Sequence, residues 1–70
     1  MAETNIKLEV MDGVGIITMD RPESRNALTP DMVNEMGEAI KACNRYDVRA
    51  VMLTGNGPAF CSGADVKAFV

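Results

Sequence analysis

Two changes of hydrophobic period within a short run constrain this chain more than any other feature. Ile6, Leu8 and Val10 alternate with Lys7 and Glu9, the period-2 pattern of a strand with one buried face. Met11-Asp12-Gly13 supplies a turn, and the more apolar VGIITM, Val14 to Met19, reads as a second strand paired with the first as a hairpin. The period then lengthens. Met32, Val33, Met36, Ile40 and Cys43 recur at helical intervals, with Asn34, Glu35, Glu38, Lys41 and Arg45 mostly on the other side. Thr29 is placed to cap this helix, Pro30 suits its first position, and Asp31 lies at the positive end of its dipole. RAVMLTG, Arg49 to Gly55, returns to a short apolar run and stops at Gly-Asn-Gly-Pro, which predicts a buried strand followed by a turn. A strand reached through a helix pairs parallel with the strand before it, since parallel pairing needs such a crossover. ADVKAFV, Ala64 to Val70, predicts the start of another helix whose pattern is still running at Val70. The expected fold is α/β, in the order β-β-α-β-loop-α, and residues 1–70 are read as one unit, the beginning of a longer domain.

Seventy residues bury a modest fraction of their surface, and no disulfide or metal staple is evident. The isolated chain is expected to be marginally folded and to associate through exposed apolar patches. Its charge narrows the function further. The seven basic residues are scattered and the net charge is −3, without the basic stripe of a nucleic-acid binder. No apolar run has the length of a membrane span, and MAETNIKLEV lacks the basic start and apolar core of a signal peptide. The expectation is a cytoplasmic protein with no nucleic-acid or membrane partner.

Cys43 and Cys61 are too far apart for a CxxC motif and no His is present. A Cys/His zinc site and a Ser-His-Asp or Cys-His nucleophile are therefore excluded within this chain. Gly55 and Gly57 follow a strand but match neither phosphate-loop pattern, and a plain turn accounts for them. Asp12, Asp20, Asp31 and Asp47 fall at turns and helix starts, where solvated or capping roles explain them better than a shared metal. Cys61, just ahead of a predicted helix, is the more tempting nucleophile, yet it has no base, and compact packing explains it equally well. Ser62-Gly63-Ala64-Asp65 has two interpretations. Small side chains and free backbone N–H groups at a helix start bind an oxyanion without any side chain, and an ordinary loop-to-helix junction has the same composition.

FCSGADVK, Phe60 to Lys67, together with DRPESRNALT, Asp20 to Thr29, resembles the crotonase, or enoyl-CoA hydratase/isomerase, superfamily. RPxxxNAL and F-C-x-G-A-D in this order, separated by a helix and an apolar strand, make the combination specific. The resemblance covers essentially the whole chain but only the N-terminal part of the family's catalytic domain. It implies a spiral of β-β-α units, assembly as a homotrimer or as a hexamer of two trimers, and an acyl-CoA thioester substrate. Coenzyme A enters as part of that substrate, with no permanently bound cofactor.

In such a family the thioester oxygen of an enolate-like state is held by two backbone N–H groups, the first at the position matching Ala64. The resemblance also implies main-chain contacts to the CoA moiety. Glu23, Arg25 and Ala27 alternate and would face the nucleotide side together, with Ser62, Ala64, Asp65 and Val66 lining the pantetheine and adenine end. Arg25 would pair with a CoA phosphate, a surface Arg being the alternative. The second donor and the proton-moving carboxylates belong to later segments of the family's domain. Two hypotheses remain: the N-terminal part of an acyl-CoA hydratase or isomerase, and a small non-catalytic CoA-binding or assembly module.

Overall fold

The computed structural model describes residues 5–45, 47–65 and 67. Strands β1 (Ile6–Met11) and β2 (Val14–Met19) form an antiparallel hairpin. Met11 and Val14 pair across its turn, where Asp12 and Gly13 take φ of 52° and 80°. Two consecutive positive φ values are what a tight two-residue hairpin turn requires, because they match the right-handed twist of the strands. A single 3-10 turn at Pro22–Ser24 interrupts the loop that follows. Helix α1 then runs over Pro30–Ala42. Its start is built as the sequence predicts: Thr29 Oγ1 accepts from the Met32 N–H at 3.2 Å, Pro30 opens the first turn, and Asp31 lies beside the dipole's positive end. Such a cap contributes about 1 kcal/mol.

Strand β3 (Ala50–Gly55) joins β2 in parallel, with Gly15 opposite Val51, Ile17 opposite Leu53 and Met19 opposite Gly55. The sheet order is β1-β2-β3, so β2 is hydrogen-bonded along both edges. Gly15, Ile17 and Met19 alternate as its buried positions. Paired residues share a face, so Ile6 and Leu8 of β1 stand beside Met19 and Ile17. Helix α1 packs over this face on β1 and β2, and Ile6, Ile17, Met19, Met32, Ala39 and Cys43 form the core. Full burial of a side chain such as Ile17 or Met32 is worth about 1.5–3 kcal/mol.

Three expectations need correction. β3 is not buried: Leu53, on the same face as Ile17, is 43% exposed, with Val51 and Met52 also exposed. The physical cause is the placement of α1, which lies over the β1–β2 half of the sheet and leaves the third strand uncovered among the described residues. The buried stripe of α1 is also shifted. Met32, Met36, Ala39 and Cys43 line the core side, whereas Val33 and Ile40, one residue after Met32 and Ala39, turn out to solvent. A step of one residue rotates a side chain by about 100° around a helix. Finally, Ala64 and Asp65 are not helical. Ala64 forms an isolated parallel bridge with Leu28, and most of the predicted final helix lies outside the described residues.

Gly15 lets α1 approach the sheet. A Cβ there would stand 2.5 Å from Cys43 Sγ and 3.6 Å from Val48 Cγ1. Gly15→Ala is expected to cost about 1–3 kcal/mol of stability, the scale of overpacking a tight core. A Cys43→Ala background should recover most of that loss, and denaturation midpoints of the two single variants and the double variant measure the coupling. The uncovered face of β3 should make the 70-residue chain self-associate, and Leu53→Lys should shift its sedimentation towards the monomer at equal concentration.

Candidate functional site

Two loops that are far apart in sequence meet at the C-terminal ends of β2 and β3. The first begins at Arg21. Arg25 and Asn26 take φ of 53° and 58°, a left-handed pair that reverses the chain after the 3-10 turn. The reversal is closed from both directions, as the Asn26 N–H donates to Arg21 O at 2.9 Å and the Arg21 N–H donates to Asn26 Oδ1 at 2.7 Å. Asn26 is 0% exposed. Its Nδ2 donates to Asn56 O at 3.0 Å and Ala59 O at 2.8 Å, so the buried amide is satisfied on both its oxygen and its nitrogen.

The second loop leaves β3 at Gly55. The Asn56 N–H donates to Met19 O at 2.8 Å, which carries the β2–β3 pairing one step further. Asn56 Nδ2 donates to Asp20 Oδ1 at 2.7 Å, and the same carboxylate pairs with Lys7 Nζ at 2.9 Å. Gly55 has no room for a side chain, because a Cβ would collide with Phe60 O and stand 2.8 Å from Asn26 Nδ2.

Beyond this turn the chain runs beside the first loop as a short parallel ladder. The Ser62 N–H donates to Arg25 O at 3.1 Å, the Leu28 N–H to Gly63 O at 2.8 Å, and the Asp65 N–H to Leu28 O at 2.7 Å. In a parallel bridge of this kind Leu28 uses both its backbone groups while Ala64, opposite it, uses neither. The Ala64 N–H accordingly has no hydrogen-bond partner among the described residues, and Ala64 is exposed. Gly63 precedes it at φ 111° with nothing within 4 Å of a Cβ, so glycine is required there by backbone conformation and not by space. Such an N–H can bind a carbonyl or oxyanion oxygen that approaches the backbone.

Arg21 ties the end of the ladder to its start. Its Nη1 donates to Ala27 O at 3.0 Å and to Asp65 Oδ2 at 3.3 Å. Glu23 and Arg25 are exposed and Ala27 is half-buried. These three do not alternate along an extended strand, since Glu23 lies in the 3-10 turn and Arg25 is left-handed. Ser62 and Ala64 are exposed on the second loop, Asp65 is half-buried and engaged with Arg21, and Val66 lies outside the described residues. Cys61 packs against the core, and its Sγ accepts from the Gly63 N–H at 3.4 Å. Sequence reasoning overlooked Arg21 and Asn26 as site residues. The available signal was Asn26 itself, an Asn in a polar loop being the residue after Gly most at home in the left-handed region.

The enoyl-CoA hydratase/isomerase family model matches residues 9–70. The chain belongs to this family. It is 44% identical over 66 residues to a Rhodobacter capsulatus protein named "Probable enoyl-CoA hydratase", covering 94% of this chain and 25% of that protein. Among solved structures, carnitinyl-CoA hydratase from Mycobacterium avium superposes with a TM-score of 0.90 at 36% identity, covering 97% of this chain and 27% of that one. An enoyl-CoA hydratase/isomerase from Mycobacterium paratuberculosis gives a TM-score of 0.89 at 43% identity, over 94% and 25% of the respective chains. The α/β fold is thus that of crotonase-superfamily members, and the chain spans about a quarter of the length of the curated relative it matches. Among the described residues no helix is long and apolar enough to cross a membrane.

The Asn56 amide first, and then Lys7, hold the Asp20 carboxyl below the usual aspartate range. A folded-state pKa below the unfolded value stabilises the fold above the unfolded pKa, and that stabilisation is lost as pH falls through the folded value. Asp20→Asn should therefore lower the melting temperature at neutral pH, and its difference from wild type should shrink as pH drops below about 4, as read from melting curves against pH.

Proposed function

We propose that this chain supplies the first oxyanion donor and part of the CoA-binding surface of an enzyme that acts on an acyl-CoA thioester through an enolate-like state. The observation that carries the proposal is the Ala64 N–H, which has no partner among the described residues and lies within the ladder that holds both its neighbours. Family membership supports an acyl-CoA substrate. As the thioester gains enolate character, negative charge gathers on its oxygen. A preorganised N–H aimed at that oxygen stabilises the transition state more than the substrate, by about 3 kcal/mol on the scale of single oxyanion-hole donors. Gly63 and Ala64 present little side-chain bulk to an arriving thioester.

In this proposal Glu23, Arg25 and Ala27 on the first loop, and Ser62, Ala64, Asp65 and Val66 on the second, contact the CoA portion, chiefly through the main chain. The Asp65 carboxylate is already engaged by Arg21, which favours a backbone role for that residue. The second donor and the carboxylates that move protons come from segments outside these residues, and the assembled enzyme is a cytoplasmic homotrimer or hexamer.

Ala64→Pro removes the donor while leaving the ladder, because the Ala64 N–H makes no ladder bond to lose. Turnover of an enoyl-CoA substrate by the natively purified protein should fall by roughly two to three orders of magnitude, with a much smaller change in affinity for the CoA portion. Ala64→Gly, which keeps the N–H, should stay close to wild type. Steady-state kinetics on variants shown to be folded by circular dichroism decide the matter, and equal turnover in the Pro and Gly variants rejects the donor role.

A further inference from the structure

We propose that Asn26 is the positioning residue of this site, its buried amide setting the register of the ladder that leaves the Ala64 N–H free. This deepens the proposed function and rests on it. Asn26 touches no reacting atom in this scheme and acts only through the backbone it holds.

The ladder between the two loops has little else to keep it in place. Among the described residues it consists of three backbone hydrogen bonds, Ser62, Gly63 and Ala64 are all exposed, and only Leu28 and Cys61 pack against the core beside it. Burial therefore does little to choose its register. At one end Arg21 and Asp65 form an ion pair 3.3 Å long, a single contact to one point of the second loop. At the other end stands the Asn26 amide, wholly buried, with hydrogen bonds to three separate points of the chain.

Those three points are what make the amide a register device. Arg21 opens the first loop, while Asn56 and Ala59 bracket the turn from which the second loop departs. Asn26 itself lies directly after Arg25, whose carbonyl takes the first rung of the ladder. A single side chain thus fixes where both strands of the ladder start. Its seat is prepared by Gly55, where a Cβ would stand 2.8 Å from Nδ2. Without the amide, two carbonyls lose their donor and the second loop is free to slide against the first. A slip of one residue would place the Ala64 N–H inside the ladder.

Asn26→Gly keeps the residue tolerant of φ 58° and deletes the amide. Amide hydrogen exchange on the natively purified protein reads the ladder without reference to activity. The Leu28, Ser62 and Asp65 amides should exchange at least about tenfold faster, while those of the β1–β2 hairpin hold their wild-type rates. On an enoyl-CoA substrate kcat should fall by roughly 10- to 100-fold, the scale of a small misplacement at a reacting centre, with KM within about threefold. Asn26→Asp serves as the second variant. Its carboxyl faces two carbonyls, so burial raises its pKa, and the protonated form regains one donor. The ratio of its kcat to that of wild type should rise as pH falls.

Unchanged exchange at Leu28, Ser62 and Asp65, or uniform acceleration across the hairpin as well, overturns the inference and leaves Asn26 a general contributor to stability. A pH-independent kcat ratio for Asn26→Asp also counts against it. A loosened ladder with unchanged kcat shows that the register held by Asn26 does not serve catalysis and also overturns the inference, whereas failure of the donor role is read separately, from equal turnover in the Ala64→Pro and Ala64→Gly variants.

Discussion

Three backbone hydrogen bonds between residues 25–28 and 62–65 are the constraint on which the candidate site depends. In a parallel bridge one residue spends both its N–H and its C=O on the partner strand, and the residue opposite spends neither. Leu28 is the first kind here and Ala64 the second. The availability of the Ala64 N–H is consequently a property of register and not of residue type. Moved by one position, the same loop would offer a different N–H.

That ladder is carried by a platform of the three-stranded sheet and α1. β2 is bonded on both edges, and its alternate residues Gly15, Ile17 and Met19 are buried under α1. The last rung of the β2–β3 pairing, Asn56 N–H to Met19 O, delivers the second loop to the end of the sheet. There the side chain of Asn56 meets Asp20, which Lys7 of β1 also holds. All three strands thus bear on the place where the loops meet, and what they share is the C-terminal end of the parallel pair. The gaps in this platform are as informative as its contacts. Gly15 admits Cys43 and Gly55 admits Asn26 and Phe60, each glycine marking where one segment passes against another.

Much of this was legible along the chain. The hairpin and its turn followed from Ile6, Leu8 and Val10 and from Asp12-Gly13, and the helix from Thr29-Pro30-Asp31 and the apolar repeat after it. The parallel pairing of β3 followed from the helix between the strands. Each rests on interactions within a few residues or on a topological rule. The exposure of β3 was not legible, because an apolar run states what a strand could bury and says nothing about where the neighbouring helix lies. The shifted stripe of α1 was missed for a related reason, as Val33 and Ile40 suit a helical face as well as Met32 and Ala39 until the sheet selects one.

At the site the same division holds. The small, glycine-bearing run Ser62 to Asp65 and its family resemblance pointed to Ala64 from sequence alone, and the family itself was identifiable there. The role of Asn26 as a buried link was not, since Asn in a polar loop is ordinarily solvated. What the sequence determined by itself was the order and type of β1, β2, α1 and β3, because periodicity, caps and turn residues act locally. What only the tertiary structure decided was which strand face is covered, that Ala64 sits in a bridge and not in a helix, and that its N–H has no partner among the described residues. Those outcomes depend on hydrogen bonds between segments distant in the chain, such as the 33 residues from Asn26 to Ala59, and no local pattern encodes a partner that far away.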